Sequence, residues 1–244
     1  MSGSYRFQNF FNTLYYRLSE PERQHLRNVY SCVALSTFVA AAGGYIHVST
    51  DFLQGGMLSS LISFAFLTAL ATTSYNGKNT TIRLGFLLAF AFCAGLSLGP
   101  LLEIIIMVNP KVIPSGFLAT SVIFICFSLS SILSEQGKWL FIGGSLFSLL
   151  STVALMHLVN MMVGSTFLFQ VNLYIGLVVI CGFILYDTQM IIEKQRSGER
   201  DFIWHSVDLF LDFADLFRKL LVILTQKENS RKTRQKENDD SKKE

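Results

Sequence analysis

Seven long apolar stretches recur along the chain, at about residues 29–48, 52–74, 84–108, 115–133, 139–161, 166–192 and 202–224. Each approaches or exceeds the roughly 20 residues that a helix needs to cross a bilayer. The connections are short, so successive helices should run antiparallel. Gly43 and Gly44 in the first stretch would let a neighbouring helix approach closely. In the third, Gly99-Pro100 is expected to break the helix, with Glu103 just beyond, and Pro110 and Pro114 are expected to bracket the next loop. Ahead of the first stretch, Phe7, Phe10, Phe11, Leu14, Tyr15 and Leu18 fall at helical spacing. They predict an amphipathic helix lying on the membrane surface. Ser19, Pro21 and Glu22 then read as a helix start with a capping box. The fold class is therefore all-α: a polytopic membrane helix bundle of six transmembrane helices with a seventh that is central or re-entrant. Residues 1–28 form an N-terminal amphipathic segment, 29–226 the transmembrane domain, and 227–244 a basic tail.

Composition agrees. Of the 244 residues 51% are hydrophobic and only 15% charged, against about 25% charged in a soluble domain. The net charge of +3 sits in the ends, where four Arg face two Glu in residues 1–28 and seven Lys or Arg face five acids in residues 227–244. That pattern suits cytosolic faces and anionic lipid, not nucleic acid. Lys78, Arg83, Lys138, Lys194, Arg196 and Arg200 fall in one set of loops and only Lys111 in the other, which places the N-terminus in the cytosol. A dipping seventh segment would keep the basic tail in the cytosol as well, and a full crossing would not. The first 28 residues lack a cleavable signal pattern, so the first span is expected to act as the insertion signal. Asn79-Thr80-Thr81 is a glycosylation sequon on the cytosolic side and is expected to stay unmodified.

The last two stretches carry acids at membrane depth, where a carboxylate is costly unless paired, protonated or wetted. Asp187 closes the sixth stretch. Asp201, His205, Asp208, Asp212, Asp215 and Lys219 share one face of the seventh. A surface-seeking helix would be basic on that face, so the stripe should face protein or a wet cavity, with some acids protonated, paired with Arg218 or Lys219, or bound to a cation. A helix half out of the membrane with a solvated acidic face is the alternative. Carboxyls on two adjacent helices can share a proton, because two close carboxylates in a low dielectric cannot both ionise easily. Oxygen clusters of this kind suit Ca²⁺ better than soft metals. Glu103 is a lumen-side pore acid or an interfacial one. His25, His47, His157 and His205 lie on separate segments, and His157 reads as a hydrogen-bonded residue inside a span. Cys32, Cys93, Cys126 and Cys181 lack metal spacing and read as buried small hydrophobes. No phosphate loop, zinc pattern or triad supports enzyme chemistry.

The segments GLSLGPLLE (95–103), LYDTQMIIEK (185–194) and DFIWHSVDLFLDFADLFRKLL (201–221) resemble the transmembrane Bax inhibitor motif family, and the resemblance covers nearly the whole chain. It implies an endoplasmic reticulum membrane protein that suppresses cell death and lets Ca²⁺ leak from the store in a pH-dependent way. It implies a pH-sensing gate of two aspartates, which by motif are Asp187 in YDTQ and Asp212 in LDF. Asp208, Asp215 and Glu103 are supporting acids. Ca²⁺ is the permeant ion met at Asp187 and Asp212, and no cofactor is implied. The partners implied are membrane lipids, Bcl-2-type and other endoplasmic reticulum membrane proteins, and further copies of the chain. Distant members also use an arginine latch on the second helix, but residues 52–74 contain no arginine.

Overall fold

Ser19 starts the first helix as its spacing predicts: its backbone N–H donates to Glu22 Oε2 at 2.7 Å, and α1 runs from Glu20 to Ser49. In the computed structural model, which describes residues 18–50 and 55–240, there follow α2 (Met57–Thr72), α3 (Thr80–Val108), α4 (Val112–Leu133), a 3₁₀ turn (Leu140–Ile142), α5 (Gly143–Val163), α6 (Thr166–Arg196) and α7 (Phe202–Asp240). The surface helix expected before Leu18 lies outside the described residues. Among the described residues all regular structure is helical. Helices α1, α3, α4, α5 and α6 are long and apolar enough to cross a membrane, and α2 is a shorter apolar helix. This is a polytopic helical membrane protein.

Four expectations need correcting. Pro100 does not break α3, which continues through it. Proline removes the hydrogen bond to the carbonyl four residues back and its ring crowds that oxygen, here that of Leu96, and the chain at Gly55 covers that oxygen so closely that a Cβ on Gly55 would fall 1.7 Å from it. Pro114 lies in the first turn of α4, where its missing N–H has no acceptor to lose. Cysteine burial holds for Cys32 and Cys93, whereas Cys181 is half-buried and Cys126 exposed, on a helix that also exposes Phe117, Leu118, Val122 and Ile125. Finally, α7 does not stop near Leu224. It is unbroken for 39 residues, a rise of about 58 Å.

The described chain packs as two compact units. One comprises Met1–Leu35 (described from Leu18), Tyr75–Thr80 and Ile123–Asp212. Its apolar centre is Leu146, Val179 and Phe183, with Ile142, Val153 and Tyr186 against them. Rings of Phe147 and Phe183 meet edge to face at 5.4 Å. Helix α5 otherwise turns its apolar side chains outward, with Met161 77% and Met162 89% exposed, as suits a lipid-facing helix.

The other unit comprises Ser36–Ser74, Thr81–Val122 and Phe213–Glu244. Here α1 and α3 touch backbone to backbone. A Cβ on Gly95 would fall 1.9 Å from the Ala40 carbonyl oxygen, and one on Gly43 2.4 Å from that of Phe92. Arg83 Nη1 donates to the Leu70 carbonyl at 3.2 Å, capping the end of α2. Ile105, Val112 and Leu221 form the apolar centre of this unit. Further along α7, Glu228 Oε1 accepts from Asn109 Nδ2 at 2.9 Å, and Lys232 Nζ donates to the Val108 carbonyl. The C-terminal part of α7 therefore reaches the turn between α3 and α4.

Candidate functional site

Helix α6 begins at Ser165, whose hydroxyl accepts from Leu168 N at 3.4 Å. It ends in a Schellman turn: Gly198 takes the left-handed conformation at φ 96°, and its neighbour Glu199 donates back to Lys194 O at 3.0 Å. Only glycine adopts that conformation at little cost. Asp201 then caps α7, accepting from Trp204 N at 3.1 Å. That removes Asp201 from the acidic stripe. The turn 197–201 is thus built to fold α7 back beside α6.

The segment Tyr186–Gln189 is fixed on several sides. The Tyr186 ring packs so closely on Gly143 that a Cβ there would meet it at 2.5 Å. Thr188 Oγ1 pairs with Tyr30 Oη of α1 at 3.2 Å. Ser131 Oγ of α4 donates to the Leu185 carbonyl at 2.6 Å. Gln189 Nε2 reaches Ser134 Oγ at 2.6 Å and Glu135 O at 2.9 Å, while its Oε1 accepts from Trp139 N at 2.7 Å. Gln189→Ala should therefore lower the stability of the detergent-solubilised protein by about 2 kcal/mol, read as a fall in its thermal unfolding midpoint.

Asp187 is held in the middle of this clamp. Its carboxyl stands within hydrogen-bonding reach of that of Asp212 on α7. Asp212 is only 5% exposed, and Asp187 and Asp208 are half-buried. The charge of Asp208 also bears on Asp187. Lys194, two turns further along α6, is a cation within electrostatic reach of both Asp187 and Asp208. A hydrogen bond between two carboxyls needs a proton on one of them. Asp215 stands apart: Lys219 Nζ donates to it at 2.7 Å, the pairing its spacing allowed. The acids of α7 thus divide into a cap (Asp201), a buried pair member (Asp212) with Asp208 beside it, and an ion-paired residue (Asp215). The solvated-stripe alternative does not describe Asp212.

Glu103 belongs to a different constellation. Its Oε1 lies 3.1 Å from His47 Nε2, and His47 Nδ1 accepts from Gly55 N at 2.5 Å. The ring lies against Gly99, where a Cβ would meet it at 2.0 Å. His157 pairs with Asn172 at 3.4 Å, as expected of a polar residue inside a span. Sequence reading did not bring His25 and His205 together. They are 180 positions apart, yet their rings are hydrogen-bonded at 2.9 Å. Among the described residues, no group of three or more His, Cys, Asp or Glu is arranged to hold a metal ion.

A polytopic helical membrane protein with a carboxyl pair between two of its helices, one member buried and one half-buried, is the class these features define. A family profile described as "Inhibitor of apoptosis-promoting Bax1" matches residues 22–229. Bax inhibitor 1 of Mus musculus is 50% identical over 214 residues, 88% of this chain and 90% of the relative. The Homo sapiens protein of that name is 49% identical over 214 residues, with the same coverage. That of Arabidopsis thaliana is 32% identical over 210 residues, 85% of this chain and 83% of its own length. The chain belongs to the Bax inhibitor family.

Proposed function

We propose that this chain is an endoplasmic reticulum membrane protein that suppresses cell death and lets Ca²⁺ leave the store in a pH-dependent way, with Asp187 and Asp212 as the gate. The pairing of half-buried Asp187 with buried Asp212 carries this reading. With one shared proton the two carboxyls make a charge-assisted hydrogen bond that holds α6 to α7. A second proton neutralises both and leaves a weaker bond, so acidification opens the contact. Ca²⁺ is the cargo here, not a resident ion. Death suppression rests on the name shared by the animal and plant relatives.

The test is Ca²⁺ efflux from liposomes holding the full chain, followed across about pH 6 to 8. Native efflux should rise as pH falls. Asp187→Asn and Asp212→Asn, which mimic the neutral form, should raise efflux at the upper end about fivefold and flatten its pH dependence. Efflux indifferent to pH and to both substitutions would overturn the gate.

A second reading, a regulator that transports nothing and acts through lipid or protein partners, draws on the end of α7. Lys227, Arg231, Lys232 and Arg234 are exposed there. Deleting residues 227–244 separates the two. Loss of protection from death signals in that deletion, with protection intact in the aspartate variants, would favour the regulator.

A further inference from the structure

Two histidines left without a role by the carboxyl pair meet at the start of α7. His25 on α1 and His205 on α7 are 6% and 1% exposed. His25 Nε2 and His205 Nδ1 are 2.9 Å apart, and the rings cross edge to face at 5.1 Å. The other nitrogen of His205 faces Glu199 Oε2 at 3.4 Å, and that carboxylate is exposed. A chain of polar atoms therefore runs from solvent at Glu199 through His205 to His25.

The charged groups around the pair come from several elements. Asp201, in the connecting turn, acts on both rings, and Glu199 of the same turn and Lys194 of α6 act on His205. One turn before His25 on α1, Glu22 accepts from Arg196 Nε at 2.5 Å, closing the same end. None of these groups lies between the two rings.

Proton counting sets what such a pair can do. Two neutral imidazoles carry two N–H groups among four nitrogens. At 2.9 Å the facing nitrogens share one hydrogen, and the second sits on an outer nitrogen. One proton taken from water fills the remaining outer nitrogen and leaves the bridge intact, with His205 Nε2–H directed at Glu199. A further proton can go only to the bridging acceptor. Two N–H groups then face each other, both rings are cations, and the rings must part.

We propose that His25 and His205 form a proton-binding site separate from the carboxyl pair, which clamps α1 to the start of α7 with up to one extra proton and releases it with two. The site does not depend on Ca²⁺ movement.

The test uses the full chain in lipid nanodiscs with ¹⁵N-labelled histidine, titrated by NMR from about pH 8 to about pH 3, with His47→Gln and His157→Gln assigning the other two signals. His25 and His205 should take up protons in two steps separated by more than about one pH unit. Either His25→Gln or His205→Gln should reduce the remaining ring to a single step. The native thermal midpoint should fall through the lower step, and that fall should be absent in His25→Gln. Two rings titrating together at one midpoint, or each unaffected by loss of the other, would overturn the site. Should a glutamine variant fail to fold, the native titration alone decides.

Discussion

Gly95→Val should lower the thermal unfolding midpoint of the solubilised protein by roughly 6–12 °C, the equivalent of about 3 kcal/mol in a chain of this size. The cause is backbone contact. A Cβ at Gly95 would meet the Ala40 carbonyl oxygen at 1.9 Å and the Ala40 carbon atoms just beyond. No rotamer change relieves a clash with main chain, so α1 and α3 must separate along the whole seam. Gly85→Ala on the same helix is the control, because a Cβ there meets nothing within 4 Å. It should leave the midpoint unchanged or raise it slightly through better helix propensity.

Arg196→Ala should cost about 3 kcal/mol. Glu22 is 6% exposed and bonded to Arg196 Nε at 2.5 Å, so losing the guanidinium leaves a buried carboxylate opposed by the neutral N–H and hydroxyl of Ser19. The guanidinium keeps some contact with water, which holds the cost to the lower end of the range for broken buried pairs. A double-mutant cycle with Glu22→Gln provides the check. If the pair couples α1 to the end of α6, the double variant should lose clearly less than the sum of the two single changes.

Apolar runs announced most of the bundle, because a helix in lipid must satisfy its own backbone and so betrays itself by length. Five runs became helices long enough to cross. The sixth, α2, is short at 16 residues. Acids in greasy surroundings pointed to the last two helices, and the family resemblance narrowed them to Asp187 and Asp212, which stand within reach of each other. What the pattern could not carry was tertiary. Pro100 looked like a break because local rules have no knowledge of Gly55 covering the freed Leu96 carbonyl. His25 and His205 gave no signal, since a contact across 180 positions leaves no periodicity. The length of α7 could have been read: residues 199–240 contain neither glycine nor proline, and the polar composition of the tail hid a continuous helix.

The glycine seam between α1 and α3 has a calorimetric consequence. Helices surrounded by lipid tails gain nothing by excluding water from each other, and their association rests on close van der Waals contact. Heat-capacity change on opening comes from newly hydrated apolar surface. Parting Gly43, Gly95 and Gly99 from their neighbours inside a bilayer exposes them to hydrocarbon, so that step should carry almost no heat-capacity change. The strength of the seam should then vary nearly linearly with temperature, with no cold-side weakening.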